Sequence, residues 1–84
     1  MALFNPKEVK EVFGGIQKIY QFGNGHGASV VKHDGSYGGE HGLWELAVLD
    51  AAGDLDYTTK ITSDVIGHQT DEDIQSLLTE ISKL

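Results

Sequence analysis

Apolar residues alternate with a period of two in the segment 43–50 (Leu-Trp-Glu-Leu-Ala-Val-Leu-Asp), which also holds the only tryptophan. Trp44, Leu46 and Val48 fall on one side of this alternation. The other side carries Leu43, Glu45, Ala47 and Leu49. A period of two is typical of a half-buried β-strand. We therefore expect residues 43–50 to be the central strand of the domain, with the even-numbered face as the platform for a helix.

A helix is predicted at the end of the chain. Thr70 followed three residues later by Asp73 is typical of a capping box, and the acidic residues 71–73 suit the positive end of a helix dipole. Apolar residues then recur with the helical period and form one stripe: Ile74, Leu77, Leu78, Ile81 and Leu84. We expect helix 70–84 to pack across the even face of strand 43–50.

Three further strands are predicted from β-branched and aromatic residues, at 16–22, 28–33 and 57–62. Gly23-Asn24-Gly25 between the first two is a hairpin signal, because Asn and Gly tolerate positive φ values. Residues 34–42, with four glycines, are expected to form a flexible loop, and residues 63–69 a connector.

The N-terminal segment predicts a helix from Pro6 to about Phe13. Asn5 resembles an N-cap before a proline at the first helical position, and Val9 and Val12 share a helical face with Phe13. Gly14-Gly15 would end this helix. A longer kinked helix through residues 14–22 is the alternative to a strand there.

Together these elements predict one α+β domain over residues 1–84. It would have an antiparallel sheet of about four strands, an N-terminal helix and a C-terminal helix packed on the sheet. The face of strand 43–50 that carries Leu43, Ala47 and Leu49 needs a cover. We expect the N-terminal helix to supply it, and a homodimer or another partner is the alternative.

Composition adds constraints on partners and location. The chain has no cysteine, no apolar run long enough to span a membrane and no secretory signal pattern, so we expect a cytoplasmic protein. The net charge is −7, with +2 on residues 1–33 and −9 on residues 34–84. Direct nucleic-acid binding is not expected from so acidic a chain. The acidity is expected to serve solubility, and a negative surface for a basic partner or a nucleic-acid mimic is the alternative.

Candidate chemistry concentrates around loop 34–42. His33 and His41 flank this loop and are candidate metal ligands, although their spacing matches no known ligand pair, so no metal or other cofactor is predicted. No nucleophile elbow or other catalytic motif is present, and we do not expect an enzyme. The binding residues that we predict are Tyr37, Glu40, His41 and Trp44, because long loops carry binding residues and aromatic side chains are enriched at interfaces.

Residues 20–84 resemble a family of proteins. The segments 27–33 (GASVVKH), 36–39 (SYGG), 42–50 (GLWELAVLD), 53–55 (GDL), 57–59 (YTT) and 61–67 (ITSDVIG) are similar to small uncharacterised proteins encoded by tailed phages and prophages. The resemblance implies a bacterial cytoplasm during infection as the setting, with an accessory or host-directed role. We therefore predict a small acidic phage-type accessory protein that acts by protein–protein interaction, with a host protein as the candidate partner that the resemblance implies. The alternative is a small-ligand or metal-binding module that uses loop 34–42.

Overall fold

Five strands form a single antiparallel sheet with one helix on one face. The computed structural model describes residues 4–62 and 64–84. The strands neighbour one another in chain order, and a short 3-10 helix (Gly39–His41) lies between the third and fourth strands. Their bounds are β1 (Glu8–Val12), β2 (Gly15–Gln21), β3 (Gly27–Lys32), β4 (Trp44–Leu49) and β5 (Ile66–Gln69), and the helix α1 follows as Asp71–Ser82. The predicted α+β class and antiparallel order are confirmed, with five strands in place of about four.

The predicted N-terminal helix is wrong, because residues 8–12 form strand β1. Val12 pairs with Gly15, so Phe13 and Gly14 are the two residues of a tight hairpin turn. Both have positive φ, 47° and 78°, as a primed two-residue turn requires. Gly14 thus turns the chain into β2 and does not end a helix. The strand predicted at 16–22 is confirmed, and the kinked-helix alternative is wrong.

The fourth predicted strand, residues 57–62, is also wrong. The chain next to β4 forms one isolated bridge, Leu55 to Leu49, and Asp56 N–H donates to the Val48 carbonyl. After Asp56, side chains accept the backbone N–H groups that a neighbouring strand would otherwise bond. The Asp56 carboxylate, for example, accepts from Thr58 N–H at 2.9 Å. Such local bonds compete with a strand ladder. The expected connector instead contains β5, which pairs with β4 around a bulge.

The core lies between α1 and the even face of the sheet, as the sequence predicts. Fully buried Leu46 and Val48 of β4 pack with Leu78 and Ile81 of α1. Strand β4 lies between β3 and β5, so it is an interior strand, whereas β3 is the central one. The helix packs over β3, β4 and β5.

Both ends of α1 are held by side chains. Thr70 and Asp73 form the predicted capping box. At the other end the amide of Asn24, in the predicted β2–β3 hairpin, donates to the carbonyls of Ile81 at 2.9 Å and Leu84 at 3.2 Å. Asn24 therefore joins the hairpin turn to the end of the helix.

Within residues 4–62 and 64–84 no helix covers the second face of the sheet. Leu43 is half-buried, whereas Ala47 and Leu49 are buried. Neighbouring strands add Gln17 and Ser29, whose side chains are joined by a 2.8 Å hydrogen bond. The helix predicted to cover this face is absent from residues 4–62, so a homodimer or partner on it stays a prediction. Among the described residues, no helix has the length and apolar character needed to cross a membrane.

Candidate functional site

A groove lies between α1 and the part of the sheet that the helix leaves uncovered. Its volume is about 430 Å³. Strands β2 and β3 form its floor, Trp44 one end, and the first turns of α1 its wall. We call it the lysine–tryptophan groove, and its lining residues are Lys18, Tyr20, Val30, Lys32, Trp44, Asp71, Ile74 and Gln75.

Strand register places both lysines in this groove. Lys18 of β2 pairs with buried Val30, and Lys32 of β3 pairs with Ile16. Directly opposed residues of antiparallel strands point to the same face, so both lysines share the face of the core. They lie where that face extends beyond α1. Their ammonium groups can therefore reach the groove while the side-chain methylenes cover apolar surface.

Trp44 is held in position in the groove by a hydrogen bond and by burial. Its indole N–H donates to an Asp71 carboxylate oxygen at 2.6 Å, and the residue is only 7% exposed. The Lys32 ammonium lies 4.2 Å from the centroid of the indole ring, and that of Lys18 lies 4.8 Å from it. Both distances are within the range of cation–π attraction. The indole ring thus holds the two positively charged ammonium groups close together.

The two lysines lack an acidic partner. Among the described residues the one ion pair is Lys10 to Glu8, at 3.8 Å. Asp71 also lines the groove, so its three charged groups sum to +1 in a chain whose net charge is −7. Burial raises the pKa of the Tyr20 phenol further above physiological pH, so this neutral side chain adds no charge to the groove. The groove is therefore a locally positive place on an acidic protein.

Gln75 adds an unused hydrogen-bond acceptor. Its side-chain oxygen is buried and has no partner among the described residues, although the residue as a whole is half-buried. An unpaired buried acceptor costs about 1–3 kcal/mol. Because this oxygen is buried, it is not available to a ligand that lies in the groove.

Loop 34–42 is held in place by its own hydrogen bonds. The hydroxyl of Ser36 accepts from His33 N–H and donates to the His33 carbonyl, at 3.0 and 2.8 Å. The carbonyl of Tyr37 accepts from His68 N–H in β5. A Cβ on Gly38, at φ 92°, would lie 2.8 Å from the His68 Cα. The loop therefore packs against β5.

The structure separates the predicted binding residues into two places. Tyr37 is 64% exposed, and Glu40 and His41 are exposed on the loop. Trp44 is buried in the groove on the helix face. No hydrogen bond or aromatic contact of the described residues joins the three loop residues to it.

The two candidate metal ligands have separate surroundings. His33 lies beside Phe13, with ring centroids 5.3 Å apart, and its Nδ1 accepts from Gly35 N–H at 3.0 Å. His41 is exposed at the end of the short 3-10 helix. Among the described residues no group of three or more His, Asp or Glu side chains is placed to hold a metal ion.

The two lysines of the groove are not among the binding residues predicted from the sequence. A signal was present, because Lys18 continues the alternation of Ile16 and Tyr20, and Lys32 continues that of Ala28 and Val30. A lysine at an inward position of an apolar strand marks a place where the inner face meets solvent. Asp71 and Gln75 could be added only once the position of α1 was known.

Comparison with protein-family models, with curated protein sequences and with solved structures gives no significant match. The fold defines a small α+β domain with a helix on one sheet face, and the groove beside that helix is its candidate binding site.

Proposed function

We propose that the protein is a non-catalytic interaction domain that binds an acidic segment of a protein partner in the lysine–tryptophan groove. One observation carries the proposal: the ammonium groups of Lys18 and Lys32 lie together over the Trp44 ring without an acidic partner among the described residues. A carboxylate bound between the lysines would relieve their mutual repulsion and add charge-assisted hydrogen bonds.

The groove favours a peptide segment over a nucleic acid. Single-stranded nucleic acids bind through bases stacked on exposed aromatic rings. Trp44 is 7% exposed and already has two lysines over its ring, so it is a poor stacking platform. A peptide with acidic residues offers carboxylates that can bind both ammonium groups.

The charge distribution also limits the partner. With eleven acidic residues in 34–84, a strongly charged polyanion would be repelled by the molecule as a whole. At physiological salt the Debye length is about 8 Å, so remote carboxylates are screened from a short segment in the groove. A segment with a few carboxylates is therefore the best match.

The resemblance to tailed-phage proteins supports a host protein as the source of this segment and an accessory role during infection. This part of the proposal depends on the sequence resemblance alone.

The test is calorimetric titration with the peptide Gly-Glu-Gly-Glu-Gly, blocked at both ends, in 0.15 M salt (about 8 Å of screening). We expect binding to weaken up to about fivefold for Lys18→Gln or Lys32→Gln, because a half-exposed ion pair contributes about 0.2–1 kcal/mol. The double variant should lose detectable binding.

Lys60→Gln is the matched control, because it removes one positive charge from an exposed residue outside the groove. It should bind the peptide as the wild type does. Hexalysine and an eight-nucleotide thymidine strand complete the set. Unchanged peptide binding in the double variant, or tighter binding of the nucleotide strand, would refute the proposal.

The alternative, a ligand or metal site in loop 34–42, stays a prediction. Its test is thermal unfolding with and without Zn²⁺, for the wild type and for His41→Ala. A metal-dependent rise in melting temperature that His41→Ala removes would establish that alternative.

A further inference from the structure

Strand β1 is an edge strand with an unpaired side. Among the described residues it pairs with β2 alone. Val9 is 54% exposed, and residues 8–11 are all exposed. The helix α1 packs over β3, β4 and β5, so it leaves the space beside β1 open.

The hairpin turn fixes which backbone groups of β1 point outward. A two-residue turn at Phe13-Gly14 makes Val12 and Gly15 a hydrogen-bonded pair. Hydrogen-bonded pairs alternate along an antiparallel ladder, so residues 10 and 8 also bond to β2. The N–H and C=O groups of Val9 and Glu11 therefore point away from the sheet.

Side-chain charges then distinguish the symmetric ways in which two β1 strands can pair. A two-fold axis at Glu8, Lys10 or Glu11 places two like charges directly opposite each other, which is destabilising. An axis at Val9 places the two valines opposite each other. Glu8 then faces Lys10 of the partner subunit. Lys7 lies outside β1 and its N–H donates to the Ile19 carbonyl of β2, so it adds no pair across the axis. Symmetry repeats this pair of Glu8 and Lys10, so this register has two complementary charge pairs.

We infer that the protein forms a two-fold symmetric homodimer in which β1 pairs with β1 of a second copy, centred on Val9. Charged residues on an edge strand discourage indiscriminate pairing. Here the same charges select one partner and one register. The result is a continuous ten-stranded sheet.

The dimer is expected to be weak. Two short strands bury less than the roughly 1,200 Å² of a standard stable interface. We therefore expect it to appear as the concentration rises towards about 1 mM, in the range of transient complexes.

Sedimentation over a concentration series tests this inference through charge exchange. Lys10→Glu and Glu8→Lys each create two like-charge pairs, and each should weaken dimerisation by about tenfold. An equimolar mixture of the two variants restores both pairs, so it should form a heterodimer at least as readily as the wild type dimerises. The double variant Glu8→Lys/Lys10→Glu should also dimerise.

Lys60→Glu and Glu80→Lys make the same charge changes at exposed positions away from β1, and they should dimerise as the wild type does. Circular dichroism checks that each variant folds.

A wild type that stays monomeric at about 1 mM (the weak range) would overturn the inference. So would a dimer that both β1 variants leave unchanged, since its interface would then lie elsewhere, such as on the open sheet face. Peptide binding in the groove is measured separately, and the β1 variants should leave it unchanged.

Discussion

At the scale of single residues, Trp44 determines the character of the site. Its bond to Asp71 ties β4 to the first turn of α1, and its ring holds the ammonium groups of Lys18 and Lys32 nearby. The alternation in 43–50 predicts a buried tryptophan that points towards the helix. It does not predict the lysines, because their approach to the ring depends on how β2, β3 and β4 are aligned.

Asp71→Ala should lower the free energy of unfolding by about 1–2 kcal/mol, since hydrogen bonds to charged groups contribute about 1.5–3 kcal/mol and this one is partly exposed. Urea denaturation followed by Trp44 fluorescence measures the loss. Glu72→Ala is the control, because it removes another acid from the same helical turn. Equal losses in the two variants would show that the helix dipole, and not the indole bond, accounts for the effect.

At the scale of elements, strong local patterns predict the structure and weak ones do not. The strands at 16–22, 28–33 and 43–50 and the C-terminal helix each have a regular apolar pattern, and each is confirmed. Strand β1 is exposed, and its Val9 and Val12 happen to fit a helical spacing. Strand β5 has one apolar residue, Ile66, and forms because β4 and loop 34–42 hold it.

Gly14→Ala distinguishes the hairpin from the predicted helix by the sign of its effect on the free energy of unfolding. At φ 78° an alanine should cost about 1–2 kcal/mol, and its Cβ meets no atom within 4 Å, so the cost is purely conformational. In a helix the same change would stabilise by up to about 1 kcal/mol.

Urea denaturation measures this effect as well, and Gly23→Ala is the matched control. Gly23 also has open space around its Cβ position, but its φ is not positive. Gly23→Ala should leave the free energy of unfolding unchanged or raise it slightly. A gain in stability for Gly14→Ala would contradict the β1–β2 hairpin.

At the scale of the whole molecule, the distribution of charge along the chain follows the order of the strands in the sheet. The four lysines of residues 1–33 lie on or beside the first three strands, and eleven acids lie in the remainder. The helix packs over β3, β4 and β5, and this leaves the groove and the β1 edge on the more basic side of the sheet. Composition predicts the acidity of the chain, whereas the local positive site depends on the fold. In a dimer through β1 both grooves would open on the same face, because the two-fold axis is perpendicular to the sheet.

The most direct test of the groove is the NMR signal of the single indole N–H. The blocked Gly-Glu-Gly-Glu-Gly peptide should shift this signal and the amide signals of Lys18 and Lys32 in proportion to the bound fraction. The Lys18→Gln/Lys32→Gln variant should show no shift. An indole signal that stays fixed while other regions respond, such as loop 34–42 or the open sheet face, would contradict the proposed site.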